Sequence, residues 1–387
     1  MSKGIYIGVD NIAHKVKKGY IGVDGIARKI KKAYIGIGGV ARPCFSRELE
    51  YYGAITPLNG ARSSLAATTV GDYALFGGGR YATSSSAQVK ATVDAYDKSL
   101  IRTSPATLGD ARSNLAATTV GDYALFGGGG DAGASYKKIY AYDKSLVRTV
   151  PTASISQRSN LAATTVGDYA LFGGGTGTLD YYDNMDAYDI SLTKVETVEV
   201  LSLARYALAA TTVGDYALFG GGIGKGSGTA TVGDKDVDAY DTSLTHTIPT
   251  KMAINRSFLA ATTIGNYALF AGSFHSNALI TPLDNRIIDV YDRSLTRTNP
   301  ISLSQQRIKL AATTAGDYAL FGGGIDVDDK YCDTVDVYDT SLTHTIATKL
   351  SAQRCNLAAT TVGDYALFGG GSTGTYKQSD VVEAYKI

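Results

Sequence analysis

The sequence predicts an all-β fold: a seven-bladed β-propeller preceded by a short arm of β-hairpins. Three observations predict it. The fifteen letters LAATTVGDYALFGGG recur seven times, unchanged or nearly so, from Leu65, Leu115, Leu161, Leu208, Leu259, Leu310 and Leu357. The starts are 50, 46, 47, 51, 51 and 47 residues apart, and a fixed period of that size means one repetitive architecture rather than separate domains. The composition suits strands and turns, with 45 glycines and 27 tyrosines but no tryptophan among 387 residues. Finally, the last copy ends before its fourth strand, and a matching segment precedes the first copy.

The chain begins with a different repeat. YIGVDN, YIGVDG and YIGIGG start at Tyr6, Tyr20 and Tyr34, and each ends in a two-residue turn signal of the kind hairpins prefer. Pairing across Asp10–Asn11 places Ile7, Val9, Ile12 and His14 on one face. Short hairpins cannot bury such a face alone. Residues 1–44 are therefore read as a docking or assembly arm that needs the propeller, sister chains or another protein. The first 45 residues hold nine Lys/Arg against two Asp, a net of +7, which leaves 28 basic and 34 acidic residues, a net of −6, for the rest. A solvated basic leader and a nucleic-acid-binding tail are the competing readings. The ordered alternation favours docking on a virion or other protein assembly, in many copies or as a homo-oligomer, over nucleic acid.

Residues 46–387 are read as the propeller. In the first unit LAATTV is strand A, Gly71–Asp72 a hairpin turn, and YALFGGG strand B. VDAY at Val93–Tyr96 is strand C, DKSL a turn and IRTSPA strand D. One four-stranded sheet cannot bury both faces, so neighbours must stack, and radial stacking gives a propeller. The seventh copy stops at VVEAYKI, short of a strand D. Ser46–Leu58 is expected to supply that strand beside Val381–Ile387, so that no sheet edge is left open.

These repeats resemble the kelch family over residues 46–387. The resemblance rests on the glycine cluster after strand B, on Tyr-Asp closing strand C (Tyr96-Asp97, Tyr240-Asp241, Tyr338-Asp339), and on an arginine before each strand A: Arg62, Arg112, Arg158, Arg205, Arg256, Arg307 and Arg354. The family's strand-D tryptophan is replaced by Thr-x-Thr. The resemblance implies a propeller but no particular activity. The arginines are read as ties between each D-to-A connection and a neighbouring backbone or carboxylate, with an anion-binding collar as the alternative. The string YIGVDGIARKIKKAYIG, Tyr20–Gly36, resembles leaders on tail and structural proteins of phages and prophages of Gram-positive bacteria, which implies a virion setting.

Chemistry-bearing constellations are sparse. His246 and His344 share one repeat position and read as filler. No tyrosine, cysteine and histidine set suits copper, and a chain without tryptophan lacks the boxes of sialidase propellers. GGGIGKGSG at Gly220–Gly228 lacks the ending of a phosphate loop. DVDDKYCD at Asp326–Asp333 lacks the glycine and glutamate of a calcium loop. Cys44, Cys332 and Cys355 have no metal-ligand spacing. The expectation is a protein with no cofactor and no enzymatic activity. The beginning MSKGIYIGVD lacks the apolar core of a secretory signal, and no run approaches the ~18 apolar residues of a membrane helix. Synthesis in a bacterial cytoplasm and release within a virion on lysis are expected.

The B–C connections differ in every blade, whereas the A–B and C–D turns scarcely change. Binding concentrates on loops of a rigid scaffold, and the mixture of Tyr, Ser, Gly, Asn and Asp resembles paratope chemistry. Tyr81, Tyr136, Tyr181, Tyr182, Lys225, His275, Asp328, Tyr331 and Tyr376 are the candidate contacts for a host-surface glycan or protein. A bacterial kelch-like interaction scaffold without a phage connection and a carbohydrate-active propeller enzyme remain the alternative functions.

Overall fold

A computed structural model describes the chain except residues 1–5, 10–11, 16–18, 24–25, 31, 38–39, 47, 85, 132–133, 179, 225–232 and 274–285; up to residue 47 only backbone is described. Among the described residues every regular element is a strand, and no helix is long and apolar enough to cross a membrane. The chain divides into two compact units, Met1–Glu50 with Ile387, and Tyr51–Lys386.

The first unit contains three separate two-stranded sheets, Tyr6–Val9 with Ile12–Lys15, Gly19–Val23 with Ile26–Ile30, and Lys32–Ile37 with Val40–Ser46. In the first hairpin Val9 pairs with Ile12 and Ile7 with His14. The third contains a register shift between Ala33 and Tyr34.

The second unit is a seven-bladed β-propeller. Blade 1 comprises strands A (Ala66–Val70), B (Tyr73–Gly77), C (Val93–Asp97) and D (Arg102–Thr103), all antiparallel. Blades 2 to 7 repeat it with strands A at Ser113–Val120, Ala162–Val166, Ala209–Val213, Ala260–Ile264, Ala311–Ala315 and Ala358–Val362. In blade 7, strand C (Val382–Lys386) is flanked on its outer side by Glu50–Ile55, which completes the sheet as strand D. Tyr51 Oη donates to Glu383 of that strand C at 2.8 Å.

The repeated letters each have a structural reason. Gly71, with φ 53°, holds the first central position of the two-residue A–B hairpin, where a left-handed backbone suits glycine. Threonines link consecutive strands A around the axis: Thr68 and Thr119 share a hydroxyl hydrogen bond of 2.8 Å, as do Thr118 and Thr165 at 2.7 Å. Thr69 donates to the Thr361 carbonyl at 2.6 Å, joining blade 1 to blade 7. The buried Phe76 meets Tyr96 edge to face, with centroids 5.9 Å apart. A Cβ on Gly77 would lie 2.7 Å from the Phe126 ring of blade 2, so that position is small because the next blade's aromatic packs on it. The core consists of such inter-blade layers. One joins Leu65, Phe76 and Tyr96 of blade 1 to Val362, Leu367 and Val382 of blade 7.

Tyr-Asp at the end of strand C serves two connections. Tyr96 Oη donates to the Thr56 carbonyl in the linker arriving from blade 7. Asp97 Oδ1 accepts the backbone N–H groups of Ser99 and Ile101, at 2.8 and 3.0 Å, and so closes the C–D turn. In blade 7, whose strand D is Glu50–Ile55, Lys386 stands where the other blades carry the aspartate.

Strand D departs from the expected length. It spans two residues in blades 1, 2, 4 and 5 and three in blade 6. Blade 3 has a three-stranded sheet, its outer segment held by one bridge, Tyr188 to Lys194. The stretch from Lys194 to Arg205 is one residue longer than the matching stretch from Arg102 to Arg112. The Val195 N–H still donates to the Ala187 carbonyl at 2.9 Å, so the outer segment keeps the register of the other blades.

Candidate functional site

The strongest charges in the propeller are internal. All seven arginines before strand A are at most 1% exposed. Arg62 donates to Asp94 of blade 1 strand C at 2.5 Å and to the Phe76 carbonyl of strand B at 3.3 Å. Arg158–Asp186 and Arg354–Glu383 repeat the pair at 2.5 Å. Arg205–Asp238, Arg256–Asp289 and Arg307–Asp336 do the same. Each carboxylate also draws on its surroundings: Asp94 accepts the Asn59 N–H from the incoming linker, Asp186 meets Lys194, and Asp238 and Asp336 meet His246 and His344 at 2.7 Å. Burial opposes ionisation of Asp186 and Asp238, yet the paired guanidiniums and their other donors hold both carboxyls below the usual range. Burial likewise lowers the arginines Arg158, Arg256, Arg307 and Arg354, and the facing carboxylates oppose it.

Blade 2 is the exception. Its strand C carries Tyr140 where the others carry an acid. Arg112 instead donates to Asp110, at 3.1 Å, and to the Gly128 and Lys138 carbonyls, and it stacks within 5.0 Å of the Tyr136 and Tyr140 rings. The arginines thus staple each incoming linker onto strands B and C. Their charge is spent inside the blades rather than presented at a mouth.

The variable face is assembled by pairing between B–C loops and D–A linkers. Ser63 bridges Arg80, Ser159 bridges Thr176, Ile308 bridges Ile325 and Cys355 bridges Ser372. Adjacent loops also touch: the Ala82 N–H of blade 1 donates to Gln378 Oε1 of blade 7 at 3.1 Å. Tyr81 and Tyr376 are exposed, at 38% and 55%. Tyr136, Tyr181, Tyr182 and Tyr331 are partly buried. Tyr181 packs on Tyr206 with centroids 4.9 Å apart, and Tyr136 on Arg112. Asp328 is exposed and pairs with Lys330 at 3.0 Å. Beside it Asp326 accepts the Asp328 and Lys330 N–H groups, an Asx-type turn. Lys225 and His275 lie outside the described residues. The loop candidates therefore sit around one rim and do not converge on one another.

What does converge was missed in the sequence. The residue directly before each repeated leucine is Ser64, Asn114, Asn160, Ala207, Phe258, Lys309 or Asn356. All seven have left-handed backbones, with φ between 51° and 55°. Each donates its N–H to the carbonyl of its counterpart in the preceding blade: Asn114 to Ser64, Asn160 to Asn114, Ala207 to Asn160, Phe258 to Ala207, Lys309 to Phe258, Asn356 to Lys309 and Ser64 to Asn356, all between 2.8 and 3.0 Å. This closed girdle rings the axis and, with the repeated leucines, lines a cavity of about 200 Å³. Asparagine accepts the left-handed region readily, but phenylalanine and lysine do so at a cost on the order of 1 kcal/mol each. The available signal was a varying letter against an almost constant LAATT.

At the opposite end of the axis, threonines and alanines line a second opening. Among the described residues no three His, Cys, Asp or Glu side chains gather as metal ligands would. Burial raises the Cys355 thiol to about 11 and also raises Cys332. No family model matches the chain, and no curated protein matches it.

Proposed function

We propose that this chain is a non-catalytic binding protein of a phage or prophage particle, built on kelch-like repeats. Its N-terminal hairpin arm docks on the particle, and its B–C loop face meets a host-surface glycan or protein. One observation carries the binding reading: seven blades share nearly identical A–B turns and six of them nearly identical C–D turns, while the loops at the other end differ in every blade. A scaffold that repeats its packing letters and varies one rim places its selectivity on that rim. Exposed Tyr81 and Tyr376 and the Tyr181–Tyr206 pair suit such a role, since tyrosine offers an apolar face and a polar tip. The arm's alternating pattern and +7 charge support attachment, and the leader-like string Tyr20–Gly36 supports the phage setting.

The test compares two sets of variants in binding to whole host cells. Tyr181→Ala with Tyr182→Ala is expected to weaken binding more than tenfold, each buried ring being worth roughly 1.5–3 kcal/mol. Asp72→Ala and Asp122→Ala, in the repeated turns, should leave it unchanged. Loss of binding in the turn variants with retention in the loop variants would assign the face to the wrong side. A chain starting near Ser46 should keep ligand binding and lose incorporation into particles; incorporation without the arm would remove the docking role.

A further inference from the structure

We propose that the axial mouth ringed by the left-handed residues is a binding site for a single carboxylated sugar ring. This deepens the reading of a glycan-binding face and rests on it. Around the girdle the side chains are distributed unevenly. Asn356, Ser64, Asn114 and Asn160 form a polar arc. Ala207 and Phe258 follow as an apolar pair, and Lys309 closes the circle as the one charged residue among the described residues lining the cavity. Lys309 Nζ stands 5.4 Å from the Phe258 ring centroid.

Symmetry makes this arrangement informative. The arginine two positions before each girdle residue and the leucine just after it are constant because every blade needs the same packing, while the position between arginine and girdle residue varies among Ser, Tyr, Ile and Cys. The hydrogen bonds that close the girdle use backbone atoms only. Nothing in the scaffold requires five different residue types at these seven positions, or a phenylalanine and a lysine in a backbone region that suits neither. The girdle's N–H groups are all spent on one another, so recognition falls to the side chains. The arc offers amide donors and acceptors for hydroxyl groups. Phe258 offers a flat apolar surface for the C–H face of a pyranose, next to the small Ala207, which leaves room. Lys309 offers a cation over that ring, 5.4 Å from its centroid, where the carboxylate of a sugar packed beside the ring would be held by a charge-assisted bond. Among the described residues no carboxylate lines the cavity to oppose an anion. A volume of about 200 Å³ equals roughly half a dozen waters and lies below the ~300–1,000 Å³ of drug-sized sites. It fits one ring, such as the terminal residue of an acidic glycan.

The experiment titrates the full chain with glucuronate, glucose and inorganic sulfate by ligand-observed NMR. Two variants, Lys309→Asn and Phe258→Asn, install the residue that blades 2, 3 and 7 already carry there, so the fold is retained. Glucuronate should bind at least about tenfold more tightly than glucose. Lys309→Asn should abolish that preference, and Phe258→Asn should weaken both sugars. Equal binding of glucuronate and glucose, a preference that survives Lys309→Asn, or sulfate binding as tightly as glucuronate would each overturn the proposal. If glucuronate does not bind while Tyr181→Ala with Tyr182→Ala still abolishes host-cell binding, the mouth proposal falls and the loop-face reading stands. If glucuronate binds at the mouth while those loop variants keep host-cell binding, the loop assignment falls instead.

Discussion

Replacing Arg354 by methionine should destabilise the propeller far more than the same change at Arg112. Both side chains are fully buried, and both donate to backbone carbonyls: Val381 and Phe368 for Arg354, and Gly128, Lys138 and, at 3.3 Å, Asp110 for Arg112. The carbonyl terms therefore do not make Arg354→Met the costlier variant. The difference is the acid left behind. Glu383 has no exposed side-chain surface and would keep only the Tyr51 hydroxyl and the Ser351 N–H, at 2.8 and 2.6 Å, with no cation. Breaking a buried pair by removing one partner costs about 3–5 kcal/mol. Asp110 is 31% exposed and can be rehydrated, so Arg112→Met should cost about 1–3 kcal/mol, the price of unsatisfied carbonyls. For a domain of this size about 2 °C accompanies each kcal/mol, giving falls in Tm of about 6–10 °C and 2–6 °C. Arg354→Met with Glu383→Leu removes both charges and should recover much of the loss. Scanning calorimetry at pH 7 decides it. A fall in Arg112→Met as large as that in Arg354→Met, or a double variant less stable than the single, would refute the argument.

Gly322→Val should lower Tm by the equivalent of about 1–3 kcal/mol, because a Cβ there lies 2.6 Å from Phe368; an unchanged calorimetric trace would contradict the packing account. The carboxyls of Asp186 and Asp238 are depressed in the fold. Their contribution is complete above the unfolded value of about 3.9 and is lost as pH falls through the folded values. Thermal melts should therefore show a steep decline below about pH 4, flattened in part by Asp186→Asn. Burial and the bond to Glu383 raise Tyr51 to about 12. Its contribution is full below the unfolded value of about 10 and is lost as pH rises towards about 12. Tyr51→Phe should blunt that alkaline loss in the same melts. Buried, raised thiols at Cys332 and Cys355 should resist a thiol reagent at pH 8 in the native state and react on denaturation; rapid native labelling would show the surrounding layers to be open.

Much of the fold was legible because the repeats report local geometry directly. GD marks the A–B turn, the aspartate of Tyr-Asp binds the N–H groups of its own turn, and period-two strands of fixed length must stack. The small residue after LAATTVGDYALF announced a close approach, although not that the neighbour is the next blade's phenylalanine. The arginine was identifiable as a recurrent tie. Its acceptor was not, because Asp94 lies thirty-two residues from Arg62 and only the folded blade brings them together. The reduction of strand D in blade 3 to a single bridge was not legible, because its letters follow the same turn as in the other blades.

The sequence by itself determined the number of blades, the strands that pair within each, and the face on which variation collects, since these follow from spacing and turn chemistry among near neighbours. Only the tertiary structure decided that seven residues from seven blades form one girdle. They are about fifty positions apart, and nothing local links them. Each becomes the neighbour of the next because ring closure brings all seven strand-A entries to one axis, where backbone groups with no partner in their own blade must pair across blades. That demand, rather than any letter in the repeat, places Phe258 beside Lys309.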